Sequence, residues 1–259
     1  MNKILNIYKP LGLTPFQLIQ RLRVLKPEYA DVKIGFAGRL DPLANGVMLL
    51  MIGDATKNRD KYLNLDKEYE FEVLFGASTD TYDTLGTLNY KTIQQFSNLA
   101  NDLEKKIKHF ITIKLGKHVQ SYPPYSSKTV DGKPLYWYAR NNKISEIKIP
   151  TRDIQIYDFD LLDIKKVNIE KLKKIIITNI NLVDGDFRQK EILENWNKFF
   201  KENETKVFQV AKFRISCSSG TYVRSLANEM GDIFGTGAIA LSISRTRAGE
   251  YKIENSLRL

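Results

Sequence analysis

Apolar positions recur with a period of two in some stretches of the chain and near three and a half in others. Leu5 and Ile7 alternate with polar neighbours, predicting a short strand that Lys9-Pro10-Leu11-Gly12 breaks. Thr14-Pro15 then opens a predicted helix, since threonine caps free N–H groups and proline suits the first helical position. Phe16, Ile19, Leu22 and Leu25 follow at three-residue spacing, and Pro27 ends the segment. Over residues 68–75, Tyr69, Phe71, Val73 and Phe75 share one face of a strand closed by Gly76. A helix is predicted over 93–107, with Phe96, Leu99, Leu103 and Ile107 on one stripe. Residues 154–164 and 174–183 read as further strands, and 189–201 as a helix carrying Trp196, Phe199 and Phe200. Residues 207–218 read as a long alternating strand: Phe213, Ile215 and Cys217 face one way, Lys212, Arg214 and Ser216 the other. A helix over 221–230 is predicted to stop at Gly231. Strands and helices are interspersed without regular βαβ alternation, which predicts an α+β fold rather than a doubly wound sheet.

The length of 259 residues, 42% of them hydrophobic, supports a sizeable core, and no repeat or Gly/Ser linker marks a domain boundary. No stretch approaches the roughly eighteen consecutive apolar residues of a membrane-spanning helix. The first residues lack the apolar core of a secretory signal. A single cysteine, Cys217, excludes an intrachain disulfide and a cysteine-rich zinc site, and its place on an apolar strand face predicts a core role. His109 and His118 stand in no ligand-spaced motif. The expectation is a cytoplasmic protein that uses no metal and no cofactor. The formal charge of +10 favours a polyanionic partner, although a lysine-rich bias also produces basic surfaces.

Four polar, Gly- or Pro-rich segments flanked by apolar runs are where a site is expected: residues 9–14, 35–46, 121–128 and 218–224. In the second, Asp41-Pro42 sets a rigid bend, and the apolar run from Val47 to Ile52 follows at once, so Asp41 projects from a tight loop leading into buried structure. By turn statistics alone Asp41 is a turn residue. In the fourth, Ser218-Ser219-Gly220-Thr221 between a strand and a helix offers backbone N–H groups to a phosphate, with Arg224 one turn in. An arginine beside a carboxylate favours its ionised form, which a carboxylate nucleophile requires. In the third, Tyr122-Pro123-Pro124-Tyr125-Ser126-Ser127 offers aromatic faces and hydroxyls of the kind that hold flipped bases. No phosphate-binding G-x-x-x-x-G-K-[ST] and no dinucleotide G-x-G-x-x-G after the first strand are present.

Taken in order, these segments resemble the TruB family of tRNA pseudouridine synthases. The resemblance rests on Lys9-Pro10-Leu11-Gly12-Leu13-Thr14, the Gly35-to-Gly46 loop with Leu40-Asp41-Pro42, Gly53-Asp54-Ala55-Thr56-Lys57 and Lys67-Glu68-Tyr69. It continues through Thr79-Asp80-Thr81-Tyr82-Asp83-Thr84-Leu85-Gly86, the Gln120-to-Lys128 loop and the stretch from Cys217 to Gly231. It implies a pseudouridine synthase fold, a mixed and largely antiparallel sheet flanked by helices and loops. It implies residues 1–250 as the catalytic domain and 251–259 as a short tail, a short form without a separate C-terminal RNA-binding domain. The implied reaction isomerises the T-arm uridine at position 55 of tRNA, with Asp41 as catalytic carboxylate attacking either ribose or uracil. Tyr69 would pack on the flipped base, Arg224 would pair with Asp41, and Ile243 would lie near the base. Phe36 stands where the family has a histidine, and would stack without hydrogen bonding. Lys9 would bind substrate or support the catalytic loop. The implied partner is the tRNA T-arm stem-loop, met by a monomer away from any membrane.

Arg39 and Phe36 depart from the family pattern, and Gly-Arg-Leu-Asp resembles ribosomal-RNA pseudouridine synthases, so the same chemistry on another RNA is the nearest rival. A non-catalytic RNA-binding or RNA-folding module is the rival from another class. A carboxylate glycosidase fits less well, because no second carboxylate is specified.

Overall fold

The computed structural model describes residues 2–89 and 102–259. Its elements begin with β1 (Lys3–Lys9), α1 (Pro15–Leu25), β2 (Ile34–Ala37), β3 (Ala44–Ile52), α2 (Arg59–Leu63) and β4 (Lys67–Phe75). There follow α3 (Leu103–Lys114), β5 (Gly116–Ser121), the short β6 (Thr129–Val130) and β7 (Lys133–Pro134), α4 (Leu135–Arg140) and the long β8 (Thr151–Asn168). The chain closes with α5 (Ile169–Asn181), α6 (Gln189–Glu202), β9 (Val207–Cys217), α7 (Val223–Phe234), β10 (Ala238–Ala248) and β11 (Tyr251–Lys252).

Among the described residues one nine-stranded sheet runs in the order β1-β3-β10-β4-β9-β8-β5, with β2 paired to β3 and β11 to β10. Its neighbours are antiparallel except β3 and β10, which run parallel from Ala44 beside Ile243 to Gly46 beside Arg245. The class is α+β, as the interspersed pattern predicts. One edge of β3 changes partner midway: β2 takes residues 49–52 and β10 takes 44–46. Residues 38–43, which carry Asp41, cross that junction, so the loop is fixed at both ends by sheet pairing.

Each face of the sheet has its own core. On one, α1, α3 and α7 cover Tyr69, Phe71, Val73 and Phe75 of β4 with Phe213 and Ile215 of β9. On the other, α5 and α6 cover Leu74, Phe208, Val210, Ile239 and Leu241. This second core corrects one reading: residues 174–183, taken as a strand, belong mostly to α5. Asn168 caps that helix, its Oδ1 accepting from the N–H of Lys171 at 2.9 Å. Leu172, Ile176 and Ile180 then recur every fourth position on the buried side. The β-branched isoleucines favour a strand locally, and packing against Trp196 and Phe199 overrides them.

Smaller corrections follow the same logic. Thr14 and Gln17 form a reciprocal capping box at the start of α1, but the buried face is Pro15, Leu18, Ile19 and Leu22, leaving Phe16 and Leu25 exposed. Helix α7 passes through Gly231 and stops at Gly235, whose φ of 71° suits the left-handed stop. Gly231 is instead a packing site, since a Cβ there would meet the backbone nitrogen of Ala238 at 2.0 Å. Of the helix predicted over 93–107, Phe96 and Leu99 lie outside the described residues, while Leu103 and Ile107 are buried in α3. Residues 251–259, expected as a tail, pair with the sheet: Leu257 donates to Asn6 and accepts from Tyr8 along β1, at 2.8 and 2.9 Å.

Candidate active site

At the junction of β3, β4 and β10 the sheet opens into a cavity of about 680 Å³, within the usual range for ligand sites. Asp41 sits on its floor, one-third exposed. The loop beneath it is clamped at one carbonyl, that of Pro42, which accepts from Gly12 N–H at 2.9 Å and from Lys9 Nζ at 3.3 Å. Lys9 also donates to Pro10 and Leu13 carbonyls at 2.9 and 2.6 Å. It is fully buried, with its ammonium turned onto the carbonyls of the loop. Burial lowers its pKa to about 7, with Asp41 opposing the shift and Arg245 adding to it.

Arg224, buried in α7, reaches the floor from the opposite side. Its Nε donates to Asp41 Oδ2 at 2.7 Å and lies 3.7 Å from Asp83 Oδ2. Its Nη1 donates to the Thr81 carbonyl and its Nη2 to that of Tyr125 at 3.3 Å. One guanidinium thereby joins the 35–46, 79–86 and 120–128 segments. Burial disfavours the charge on Arg224, and the two aspartates outweigh it, raising its pKa. Asp83 is the second carboxylate of the site, and the sequence reading missed it. Its Oδ1 accepts from Thr81 Oγ1 at 2.7 Å and Leu85 N–H at 2.9 Å, and burial pushes its pKa up against the pull of Arg224.

Tyr69, Ile243 and Phe36 all line the cavity, as do Tyr222 and Arg245. Burial raises the pKa of the Tyr69 hydroxyl, and the charge of Arg245 opposes the shift. Arg245 is itself buried, donating to Val47 and Gly38 carbonyls at 2.7 and 3.0 Å, so it ties β10 to the Asp41 loop. Neither Arg245 nor Tyr222 was foreseen, although Tyr222 stands beside Arg224 in the matched stretch. Gln120 fixes Tyr222 by a two-way amide clamp on its backbone at 2.8 and 3.2 Å.

The turn at 218–221 is only in part the anion cradle expected of it. Its Ser218 N–H is taken by the Gln155 carbonyl at 2.8 Å, and Arg224 points to Asp41 instead. Arg152 supplies the charge there, lying over Gly220 so closely that a Cβ would come within 1.6 Å of its Nη1. At the cavity mouth the Arg39 guanidinium sits 5.7 Å from the centre of the Phe36 ring. Cys217 is fully buried, and desolvation pushes its thiol up to about 11, so it is an inert core side chain.

The wall is rich in arginine. Seven of the chain's twelve arginines line this cavity, against one of its twenty-eight lysines. A general lysine bias does not produce that segregation. Arginine presents a planar fork suited to phosphate and stacks on bases; Arg224 and Arg245 are spent on the floor, and Arg39, Arg59, Arg140, Arg152 and Arg188 make up the wall.

The family described as "TruB family pseudouridylate synthase (N terminal domain)" matches residues 23–177. The protein named tRNA pseudouridine synthase B in Clostridioides difficile (strain 630) is 32% identical over 259 residues, spanning all of this chain and 69% of that protein. Its namesake in Staphylococcus aureus (strain JH1) is 33% identical over 261 residues, covering 70% of that protein. Among solved structures, the "Crystal Structure of a Cbf5-Nop10-Gar1 Complex" superposes with a TM-score of 0.59 at 19% identity, over 99% of this chain and 52% of that one. The "Structure of H/ACA RNP bound to a substrate RNA containing 2'-deoxyuridine" gives 0.56 at 18%, over 98% of this chain and half of that one. The fold is thus that of the pseudouridine synthases. The chain belongs to the TruB family of these enzymes.

Proposed function

We propose that the protein isomerises uridine to pseudouridine in the T arm of tRNA, at position 55, with Asp41 as the catalytic carboxylate. The observation that carries this reading is the 2.7 Å contact between Asp41 and buried Arg224 on the floor of a nucleotide-sized cavity, with Tyr69 and Ile243 in its walls.

A uridine inside a stem-loop must first leave its stack, at a cost of a few kcal/mol. The arginines of the wall supply phosphate contacts to offset it, and Tyr69 and Ile243 supply surfaces for the base. Asp41, held rigidly by Arg224 from one side and by the Lys9-supported loop from the other, then presents its carboxylate to the nucleotide. The N1–C1′ bond breaks, the base turns within the cavity, and a C5–C1′ bond forms. The proton on C5 is lost and N1 takes one up, so the reaction balances without an added co-reactant. Tyr69, buried in the cavity lining, is the side chain assigned to that proton transfer on this reading. Asp83 holds Arg224 from below and so positions the pair. On this reading the enzyme works in the cytoplasm as a monomer on free tRNA, and residues 1–250 with the sheet-bound 251–259 form one catalytic unit.

The test is to map pseudouridine, nucleotide by nucleotide, in unmodified tRNA and ribosomal RNA transcripts incubated with the protein. Product at the T-arm uridine of tRNA is the expected result. Product confined to ribosomal RNA would transfer the chemistry to the rival substrate, where Arg39 stacked on Phe36 would set the choice. Binding without product on either would leave an RNA-folding module.

A further inference from the structure

Two elements far apart in sequence meet at the rim of the cavity, and neither belongs to the catalytic floor. One is the end of α4, carrying Arg140; the other is the turn between α5 and α6, carrying Asp186 and Arg188. Arg140 Nη2 lies 3.2 Å from both the carbonyl and Oδ2 of Asp186. The Asp186 side chain is 84% exposed, so water competes for this pair. Exposed pairs of this kind exchange readily.

Arg188 is built differently. Its φ of 63° is left-handed, a conformation that non-glycine residues adopt only where the surroundings impose it. The surroundings here are explicit. Its Nη1 donates to Asp80 Oδ2 at 2.8 Å, its guanidinium stacks 4.6 Å from the Tyr125 ring, and its own N–H binds Asp186 Oδ1 at 3.2 Å. The helix pair of the second core therefore delivers a fixed, half-buried arginine to the cavity wall. Tyr125, on which Arg188 stacks, lines the same cavity as Arg140. Between the two arginines sits one solvent-exposed carboxylate, that of Asp186.

We propose that Arg140 and Arg188, one from each wall, form a binding site for a backbone phosphate of the RNA strand entering the cavity, and that Asp186 occupies this site in the free protein. A carboxylate held by an arginine fork and a backbone N–H has the same partners a phosphate would use. RNA phosphate displaces Asp186 from Arg140, while Arg188 stays anchored by Asp80. The inference rests on the reading of the cavity as an RNA site, and it adds a contact outside the residues that carry the chemistry.

The experiment measures binding of an unmodified tRNA transcript to the full chain over a range of salt, beside pseudouridine formation on the same transcript. Arg140→Ala and Arg188→Ala are each expected to reduce the slope of log affinity against log salt by about 0.7 to 0.9, as loss of one phosphate contact does. Asp186→Asn, which removes the occupant, is expected to bind about two- to fivefold tighter. Weaker or unchanged binding by Asp186→Asn, together with a wild-type salt slope for Arg140→Ala, would overturn the proposal. Arg140 and Asp186 are exposed, so those two variants decide even where Arg188→Ala folds poorly. Absence of product from the unaltered protein, with these slopes intact, would remove the proposed reaction and leave the phosphate site standing.

Discussion

The floor and the rim of the cavity carry similar charges in opposite settings. On the floor, Asp41, Asp83, Arg224, Arg245 and Lys9 are held by several partners each, and all but Asp41 are buried. At the rim, Arg39, Arg140 and Asp186 face water. A buried charge network in a low-dielectric site keeps its geometry while a reaction proceeds, which is the condition for electrostatic catalysis. An exposed set of charges rearranges cheaply and gains from released counterions. On the proposed function the floor would set rate and the rim affinity, and each prediction below sharpens or breaks that division.

The largest effect is expected at Arg224. Replacing it with methionine leaves two carboxylates facing each other without a cation, so turnover should fall by at least about a hundredfold and stability by about 3–5 kcal/mol. Arg224→Lys keeps the charge but lacks the fork that reaches Asp41, Thr81 and Tyr125 together, and should rescue stability more than rate. Equal recovery of both, measured by denaturant unfolding and single-turnover kinetics, would show that charge alone matters there.

Next comes Tyr69. Tyr69→Ala should lower the single-turnover rate by about a hundredfold, the scale of a lost proton-transfer group, while affinity for tRNA changes far less. Equal losses of rate and affinity would recast it as a docking residue.

Lys9 gives a smaller effect with a pH signature. Lys9→Met leaves the carbonyls of Pro10, Leu13 and Pro42 without their donor, at a cost of about 1–3 kcal/mol. Burial holds Lys9 near 7 and Lys67 near 8 in the folded chain, against 10.5 when unfolded. From about pH 7 upward the unfolded chain therefore binds more protons, and stability rises with pH until the unfolded lysines titrate. Urea unfolding across pH 7 to 9 should show this rise, and Lys9→Met should flatten it by up to about 1.4 kcal/mol per pH unit. An unchanged slope in the variant would mean that Lys9 is not the group responsible.

The smallest effect is at the mouth. Arg39→Ala should weaken tRNA binding a few-fold and lower the salt slope by about 0.7 to 0.9, with the rate at saturation kept. Loss of rate at saturation would move Arg39 from the rim to the floor.

The legibility of these regions in the sequence differs for a physical reason. Strands β4 and β9 are buried on one face and polar on the other, so their alternation shows directly in the residue pattern. The Asp41 loop is a short, contiguous motif whose geometry is set by near neighbours. Arg245 was hidden because Ser244-Arg245-Thr246-Arg247 reads as a polar strand edge, whereas the parallel pairing with β3 turns Arg245 inward. Arg188 reaches Asp80 across 108 positions of sequence, and no local pattern encodes that meeting. Helix α5 was misread because its isoleucines favour strands locally, and only the contact with α6 decides the matter. Asp83 was within the matched motif, but its role depends on a second carboxylate and an arginine brought from elsewhere.

The most direct test of the division is one paired measurement on Asp41→Asn: affinity for an unmodified tRNA transcript and single-turnover pseudouridine formation on that same transcript. Affinity within about threefold of the unaltered protein, with no detectable product, is the outcome expected if phosphate contacts carry binding and Asp41 the reaction. Substantial product, or collapse of binding along with rate, would contradict the account.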